Sequence, residues 1–196
     1  MTIPKLIGIT GLAGTGKDTL ADHLSKTFGH EKYAFATPIK ELLNARFGWM
    51  MEMWDDRSWK ESDQPEAGRR EDWEEYNHFS PRSWAQWLGT DVGRVIGGED
   101  VWVKRMVSRW YGVHGSRRPS AMIIPDVRFD NEADTIRGMG GVVVKLLRPC
   151  AVPVNAHVSE KGVRSEFIDA TITNDRCVDD FLSDAISVLS TLKGES

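Results

Sequence analysis

The feature that most constrains this chain lies near its beginning. A short apolar run, Lys5 to Thr10, leads straight into G-L-A-G-T-G-K-D-T at residues 11–19. The run is aliphatic and β-branched, the composition of a strand buried on both faces. Behind the glycines, Leu20, Leu24 and Phe28 recur every four residues on one helical face, and Gly29 supplies a stop. A buried strand, a tight loop and an amphipathic helix in that order point to an α/β architecture.

A dinucleotide-binding loop requires G-x-G-x-x-G with an acidic residue about twenty positions later. Gly11, Gly14 and Gly16 do not have that spacing, whereas Gly11, Gly16 and Lys17 fit G-x-x-x-x-G-K. Glycines let successive backbone N–H groups converge on phosphate oxygens, and the helix N-terminus adds positive potential. Residues 11–19 are therefore expected to hold the phosphates of ATP. Gly11, Ala13, Gly14, Thr15, Gly16, Asp18 and Thr19 line the loop, and Lys17 reaches the β and γ groups. Asp18 stands where such loops usually carry Ser or Thr on Mg²⁺. It either holds the metal through water or only caps the helix, and the residues leave both open.

Alternation of strand and helix recurs later in the chain. Tyr33–Ala36, Ala121–Val127, Gly141–Leu147 and Ile168–Thr173 read as further strands. Helices are expected through Ile39–Leu43, around Glu132–Arg137 and through Phe181–Leu189. Five buried strands separated by helices imply a parallel sheet covered on both faces, with ligands beyond the carboxyl ends of the strands. The middle differs in kind. All eight tryptophans lie between Trp49 and Trp110, and an acidic polar stretch within about 55–77 reads as a loop. Ser80-Pro81 is a helix-start signal followed by Trp84, Trp87, Leu88, Val92 and Val95, and another helix carries Trp102, Met106 and Trp110.

The remaining candidates fall at strand ends or in this middle. Asp126 closes the third strand and can organise Mg²⁺, position an acceptor phosphate or cap a helix. Arg128 can neutralise charge on a transferring phosphoryl group. Glu132 is either a site residue or an ordinary helix position. Arg82, Gln86 and Arg94 share about one helical face if the helix survives Gly89, and could serve a nucleotide's phosphate and base edge or only solvate the surface. Most tryptophans are expected in a core, with one or two as candidates for stacking on a base. Lys40 follows the second strand. Arg148, His157, Glu160 and Arg164 belong to a polar segment suited to a lid that excludes water.

Composition narrows the partners. The net charge is -4, so a duplex nucleic-acid partner, which demands a basic surface, is not expected. Two cysteines make neither a disulfide framework nor a four-ligand zinc site. No stretch approaches the ~20 apolar residues of a membrane span, and the N-terminus lacks a signal-peptide pattern, so a cytoplasmic protein is expected.

Taken together, the motifs resemble the deoxynucleoside monophosphate kinases of bacteriophages. The residues carrying the resemblance are G-x-x-G-T-G-K-D-T-L-A at 11–21, F-A-T-P-I-K at 35–40 and S-P-R…Q…G-T-D…R at 80–94. Further matches are W-V at 102–103, D-V-R-F-D-N-E at 126–132, H-V-S-E at 157–160 and T-N-D at 173–175. The resemblance implies a three-layer P-loop kinase fold with a five-stranded parallel sheet, and transfer of the ATP γ-phosphate to a deoxynucleoside 5′-monophosphate with Mg²⁺. It implies one domain, with a core of 1–40, 113–148 and 167–196, a helical acceptor-binding insert at about 41–112 and a lid at about 149–166. It also adds Thr90 to the acceptor residues and places Asn174 near the donor adenine. The rivals are a P-loop kinase for another small acceptor, such as dephospho-coenzyme A or phosphomevalonate, and a nucleotide-dependent switch. The guanine motif N-K-x-D of a GTPase switch is missing. Base preference, ribose discrimination and oligomeric state, a homodimer included, stay open.

Overall fold

The computed structural model describes residues 2–64, 80–113, 117–149 and 162–192. Five strands, β1 (Leu6–Thr10), β2 (Glu31–Lys32), β3 (Met122–Ile124), β4 (Val142–Leu147) and β5 (Ala170–Thr173), lie in the order β2-β3-β1-β4-β5. Every pairing is parallel, as expected, with Ile7 opposite both Ile123 of β3 and Val142 of β4. All five residues of β1 are buried, which explains its unbroken apolar reading.

The chain divides into two units, Met1–Phe35 with Val103–Ser196, and Ala36–Trp102. In the first, helices α1 (Lys17–Phe28) and α8 (Val178–Thr191) close one face of the sheet. There Leu20, Leu24, Phe181, Ala185 and Leu189 pack with Ile7, Ile9, Val144, Leu146 and Ile172. Each of these side chains other than Ala185 contributes about 1.5–3 kcal/mol on burial. Helix α7 (Asp130–Gly138) covers the other face. It comes so close that a Cβ on Gly8 would lie 2.8 Å from Ile136 Cδ1. The chain leaves β1 through α1 for one edge of the sheet and leaves β3 through α7 for the other. The carboxyl end of β1 is therefore the topological switch point, where open α/β sheets bind ligands.

The second strand differs from expectation. It occupies Glu31–Lys32 rather than Tyr33–Ala36, because pairing with β3 ends when Tyr33 N–H reaches Ile123 O at 3.0 Å. The Phe35 N–H then turns to Asp126 Oδ1 at 2.8 Å.

The second unit has its own core, in which Ile39, Leu43, Trp49 and Trp54 are buried. Trp49, Trp54 and Trp59 meet pairwise edge to face, with centroids 5.2–5.9 Å apart. Such pairs add about 0.5–1.5 kcal/mol beyond their burial. Among the described tryptophans, Trp59, Trp84 and Trp102 pack against this core, of which Trp49 and Trp54 are part. Helix α2 (Thr37–Phe47) begins the unit, with Pro38 in its first turn. Within the stretch expected as a loop, α3 (Arg57–Glu61) forms because Asp56 Oδ1 accepts from the N–H groups of Ser58 and Trp59 at 2.8 and 3.2 Å. The expected cap at Ser80 is present, its Oγ accepting from Ser83 N–H at 3.2 Å to open α4 (Pro81–Gln86).

The helix survives Gly89, but by changing its winding. Residues Trp87–Arg94 are π-helical and lead into α5 (Val95–Gly97). Trp102 supports this stretch: its Nε1 donates to Gly89 O at 2.7 Å, and a Cβ on Gly93 would lie 2.4 Å from its ring. Trp102 lies in the first turn of α6 (Val101–Tyr111), of which Val103 onward counts with the first unit. The expected insert, about 41–112, thus overlaps the second unit with displaced ends. Of the expected lid, 150–161 lies outside the described residues, as do 65–79.

His30 is 3% exposed, and its Nε2 donates to Pro4 O at 2.8 Å. Burial pushes its pKa below the ordinary 6.5, against the bond to Pro4, which raises it. The unfolded chain takes up a proton near 6.5 while the folded imidazole stays neutral. The His30 contribution is therefore intact above that value and is lost as pH falls toward the depressed one. His30→Gln should lower the denaturant midpoint at about pH 7.5, and the gap to the parent protein should narrow by about pH 5.

Candidate active site

The loop after β1 is held by glycines that no other residue could replace without strain. Gly11, Gly14 and Gly16 have φ of 145°, 77° and 98°, in the region that L-residues avoid. Gly11 is also enclosed, since a Cβ there would sit 2.5 Å from Leu146 O on β4. A Cβ on Gly16 would lie 2.7 Å from Asn174 Nδ2 and 3.3 Å from Phe181 Cε1, so the core packs up to the base of the loop.

Side chains then take the loop carbonyls. Lys17 Nζ donates to Gly11 O at 2.8 Å and Leu12 O at 2.6 Å. Buried Thr15 donates through Oγ1 to Leu12 O at 2.9 Å. Arg148 Nη1 donates to Gly14 O at 3.1 Å, and Asn174 Nδ2 to Thr15 O at 3.0 Å. Arg148 follows β4 directly and Asn174 follows β5, so parallel strands deliver both to the edge where β1 releases the loop. Ala13 is half-buried in the loop, and Thr19 is exposed in the first turn of α1.

Asp18 is accompanied by a residue the sequence does not single out. Lys32, at the end of β2, places Nζ 3.1 Å from Asp18 Oδ1 and 2.9 Å from Asp22 Oδ1. Burial alone would lower the Lys32 pKa, but the Asp22 and Asp18 carboxylates outweigh it and hold it up. The signal available in sequence was only Asp18 and Asp22 at helical spacing, one turn apart.

At the end of β3, Asp126 accepts the Phe35 N–H, as above, so its carboxylate fixes the exit from β2. It does not cap α7. That task falls to Glu132, 3% exposed, whose Oε2 accepts from the N–H groups of Arg128 and Phe129 at 2.8 and 3.1 Å. The backbone of Arg128 is thereby fixed while its side chain stays exposed. Arg164 lies at the start of α7, its Nε 2.5 Å from Asp130 Oδ2 and its Nη1 3.0 Å from Glu166 Oε1. The Arg164 N–H and guanidinium hold the Asp130 carboxyl below the usual carboxylate range.

The acceptor candidates lie in the second unit. Lys40 Nζ sits 5.4 Å from the Trp54 ring centroid, a cation–π distance. Arg82 approaches Glu61 Oε1 at 3.5 Å, and its buried Nε has no hydrogen-bond partner among the described residues. Gln86 ends α4, whereas Thr90 and Arg94 belong to the π-helical stretch. At 3.6 residues per turn, position i+12 would stand about a third of a turn from i. The wider π winding reduces that offset and turns Arg94 back toward the face of Arg82 and Gln86. His157 and Glu160 lie outside the described residues.

A protein-family model described as deoxynucleotide monophosphate kinase matches residues 5–63 and 61–185. A protein of Acanthamoeba polyphaga mimivirus named "Putative deoxynucleotide monophosphate kinase" is 30% identical over 191 residues, spanning 93% of this chain and 94% of its own. The deoxynucleoside-5′-monophosphate kinase of Escherichia phage T5 is 25% identical over 229 residues, 86% of this chain and 89% of that one. The deoxynucleotide monophosphate kinase of Enterobacteria phage T4 is 30% identical over 118 residues, 59% of this chain and 48% of that one.

The loop glycines are not equivalent. A Cβ on Gly14 would meet nothing within 4 Å, so Gly14→Ala bears only left-handed strain, about 1–2 kcal/mol. Gly11→Ala adds a collision with the β4 backbone and should cost several times more. Denaturant unfolding of the two variants measures the difference, and equal losses would contradict the enclosure of Gly11.

Proposed function

The chain belongs to the deoxynucleotide monophosphate kinase family, and from that premise we propose that it transfers the γ-phosphate of ATP to a deoxynucleoside 5′-monophosphate, giving the diphosphate and ADP. The observation that carries this reading is the glycine loop at the switch point of the sheet, with Lys17 folded onto its carbonyls. Its backbone N–H groups and the N-terminus of α1 form a site for polyphosphate.

The acceptor phosphate needs little activation. With a second pKa of about 6 it is largely dianionic at neutral pH, so its oxygen attacks the γ-phosphorus without a general base. The bond from that phosphorus to the bridging oxygen breaks, and ADP leaves. Catalysis then consists of positioning and of offsetting charge on the transferring group. Lys17 exchanges two carbonyl partners for phosphate oxygens, and Arg128 supplies a second cation. Glu132 keeps the backbone of Arg128 and Phe129 in place, and Asp126 ties the end of β3 to the Phe35 N–H. Arg82, with its buried Nε, is the leading acceptor-phosphate ligand, and Gln86, Thr90, Arg94 and Lys40 complete the acceptor set. Arg148 and Arg164 are the described arginines of the lid.

Magnesium fits this site only through water. No group of three or more His, Cys, Asp or Glu suited to a metal exists among the described residues, and Asp18 is paired with Lys32. Asp18 would hold hydrated Mg²⁺, which keeps several waters and neutralises phosphate charge when bound. No helix among the described residues is long and apolar enough to cross a membrane. We place the activity in the cytoplasm, a host's cytoplasm for a phage protein, acting on free nucleotides rather than nucleic acid.

The test is ADP production from each of the four common deoxynucleoside monophosphates and their ribo counterparts. Acceptor-dependent ADP is expected, whereas slow acceptor-independent phosphate release would indicate a switch. Lys17→Ala should lower turnover by about a hundredfold or more while the circular dichroism spectrum stays that of the folded parent protein. Arg82→Ala should raise the acceptor KM by about tenfold and leave the ATP KM alone. A shift in the ATP KM instead would remove Arg82 from the acceptor site.

A further inference from the structure

We infer that Asn174 serves the donor site through the loop: its amide holds the Thr15 carbonyl and thereby aims the Gly16 N–H at the donor phosphates, making it a positioning residue rather than an adenine contact. The inference rests on the donor-loop reading above. Its first support is geometric. Asn174 Nδ2 donates to Thr15 O at 3.0 Å. In a trans peptide the carbonyl of one residue and the N–H of the next point in opposite directions. Holding the Thr15 oxygen toward Asn174 therefore turns the Gly16 N–H away from that side, where the proposal sets the donor phosphates.

Asn174 itself is fixed. Its backbone N–H donates to Leu147 O at 2.7 Å, extending the pairing of β4 and β5 by one bond. The side chain also determines what Gly16 can be, since a Cβ there would lie 2.7 Å from Nδ2, with Phe181 behind it at 3.3 Å. The residue type follows. Aspartate would set oxygen against oxygen, alanine has no donor, and glutamine is one methylene too long for the gap. The bond joins residues 159 positions apart, so it locks the loop to the opposite end of the chain.

The experiment is calorimetric titration of the full chain, in magnesium buffer, with ATP, CTP and inorganic tripolyphosphate. Asn174→Ala is expected to weaken ATP and tripolyphosphate by the same factor, about tenfold, and to leave the ratio of ATP to CTP affinity unchanged. A loss confined to ATP makes Asn174 a base contact and overturns the proposal, as does no loss for either ligand. If the parent protein binds neither, the donor-loop reading fails first and takes the proposal with it. The parent protein gives a second reading that needs no variant. The Gly16 amide resonance should move strongly on adding tripolyphosphate, and a Gly16 amide that stays in place overturns the proposal even if Asn174→Ala does not fold.

Discussion

The structure turns on a backbone problem at the end of β1. A fully buried strand must release its chain into a tight loop, and it does so through three glycines at positive φ. That conformation strains other residues, and here it is enclosed as well. The β4 carbonyl of Leu146 closes on Gly11, while Asn174 and Phe181 close on Gly16. The hydrophobic core and the glycine loop thus share a wall, and the apolar packing of α8 reaches the loop directly.

Around this loop, carbonyls are bound by side-chain donors, local from Lys17 and long-range from Arg148 and Asn174. Lys17 takes two, Arg148 one and Asn174 one. Each bound carbonyl fixes a peptide plane and with it the direction of the next N–H. On the proposed function, a loop held in this way needs little further ordering to receive polyphosphate. The charged groups at the neighbouring strand ends follow the same logic. Glu132 engages the N–H groups of Arg128 and Phe129 and so shapes the chain around Arg128, while Asp126 engages the Phe35 N–H and fixes the exit from β2.

The second unit answers a different demand. A stretch of 67 residues, Ala36–Trp102, must hold its own shape, and a core of edge-to-face indoles supplies the large buried area that a small unit needs. The same aromatic economy bends a helix. Trp102 presses on Gly93, bonds to Gly89 O, and accompanies a π winding that changes which side chains share a face. A tryptophan that reads as core thereby affects where Arg94 points.

The sequence by itself determined the elements whose signal is local. The G-x-x-x-x-G-K spacing gave the loop, four-residue periodicity gave α1, Ser80-Pro81 gave the start of α4, and unbroken apolar runs gave β1 and β4. Each depends on neighbours within a few positions. It also placed Asp126, Arg148 and Asn174 at strand ends, because a parallel sheet collects those ends at one edge. Tertiary structure decided what those residues do. Asn174 meets Thr15 across 159 positions, Arg148 meets Gly14 across 134, and Asp126 meets Phe35 across 91. No pattern of neighbouring residues encodes such bonds. The two-residue length of β2, the Lys32–Asp18 pair and the π winding under Trp102 have the same origin: each is settled by a partner that arrives only when the chain has folded.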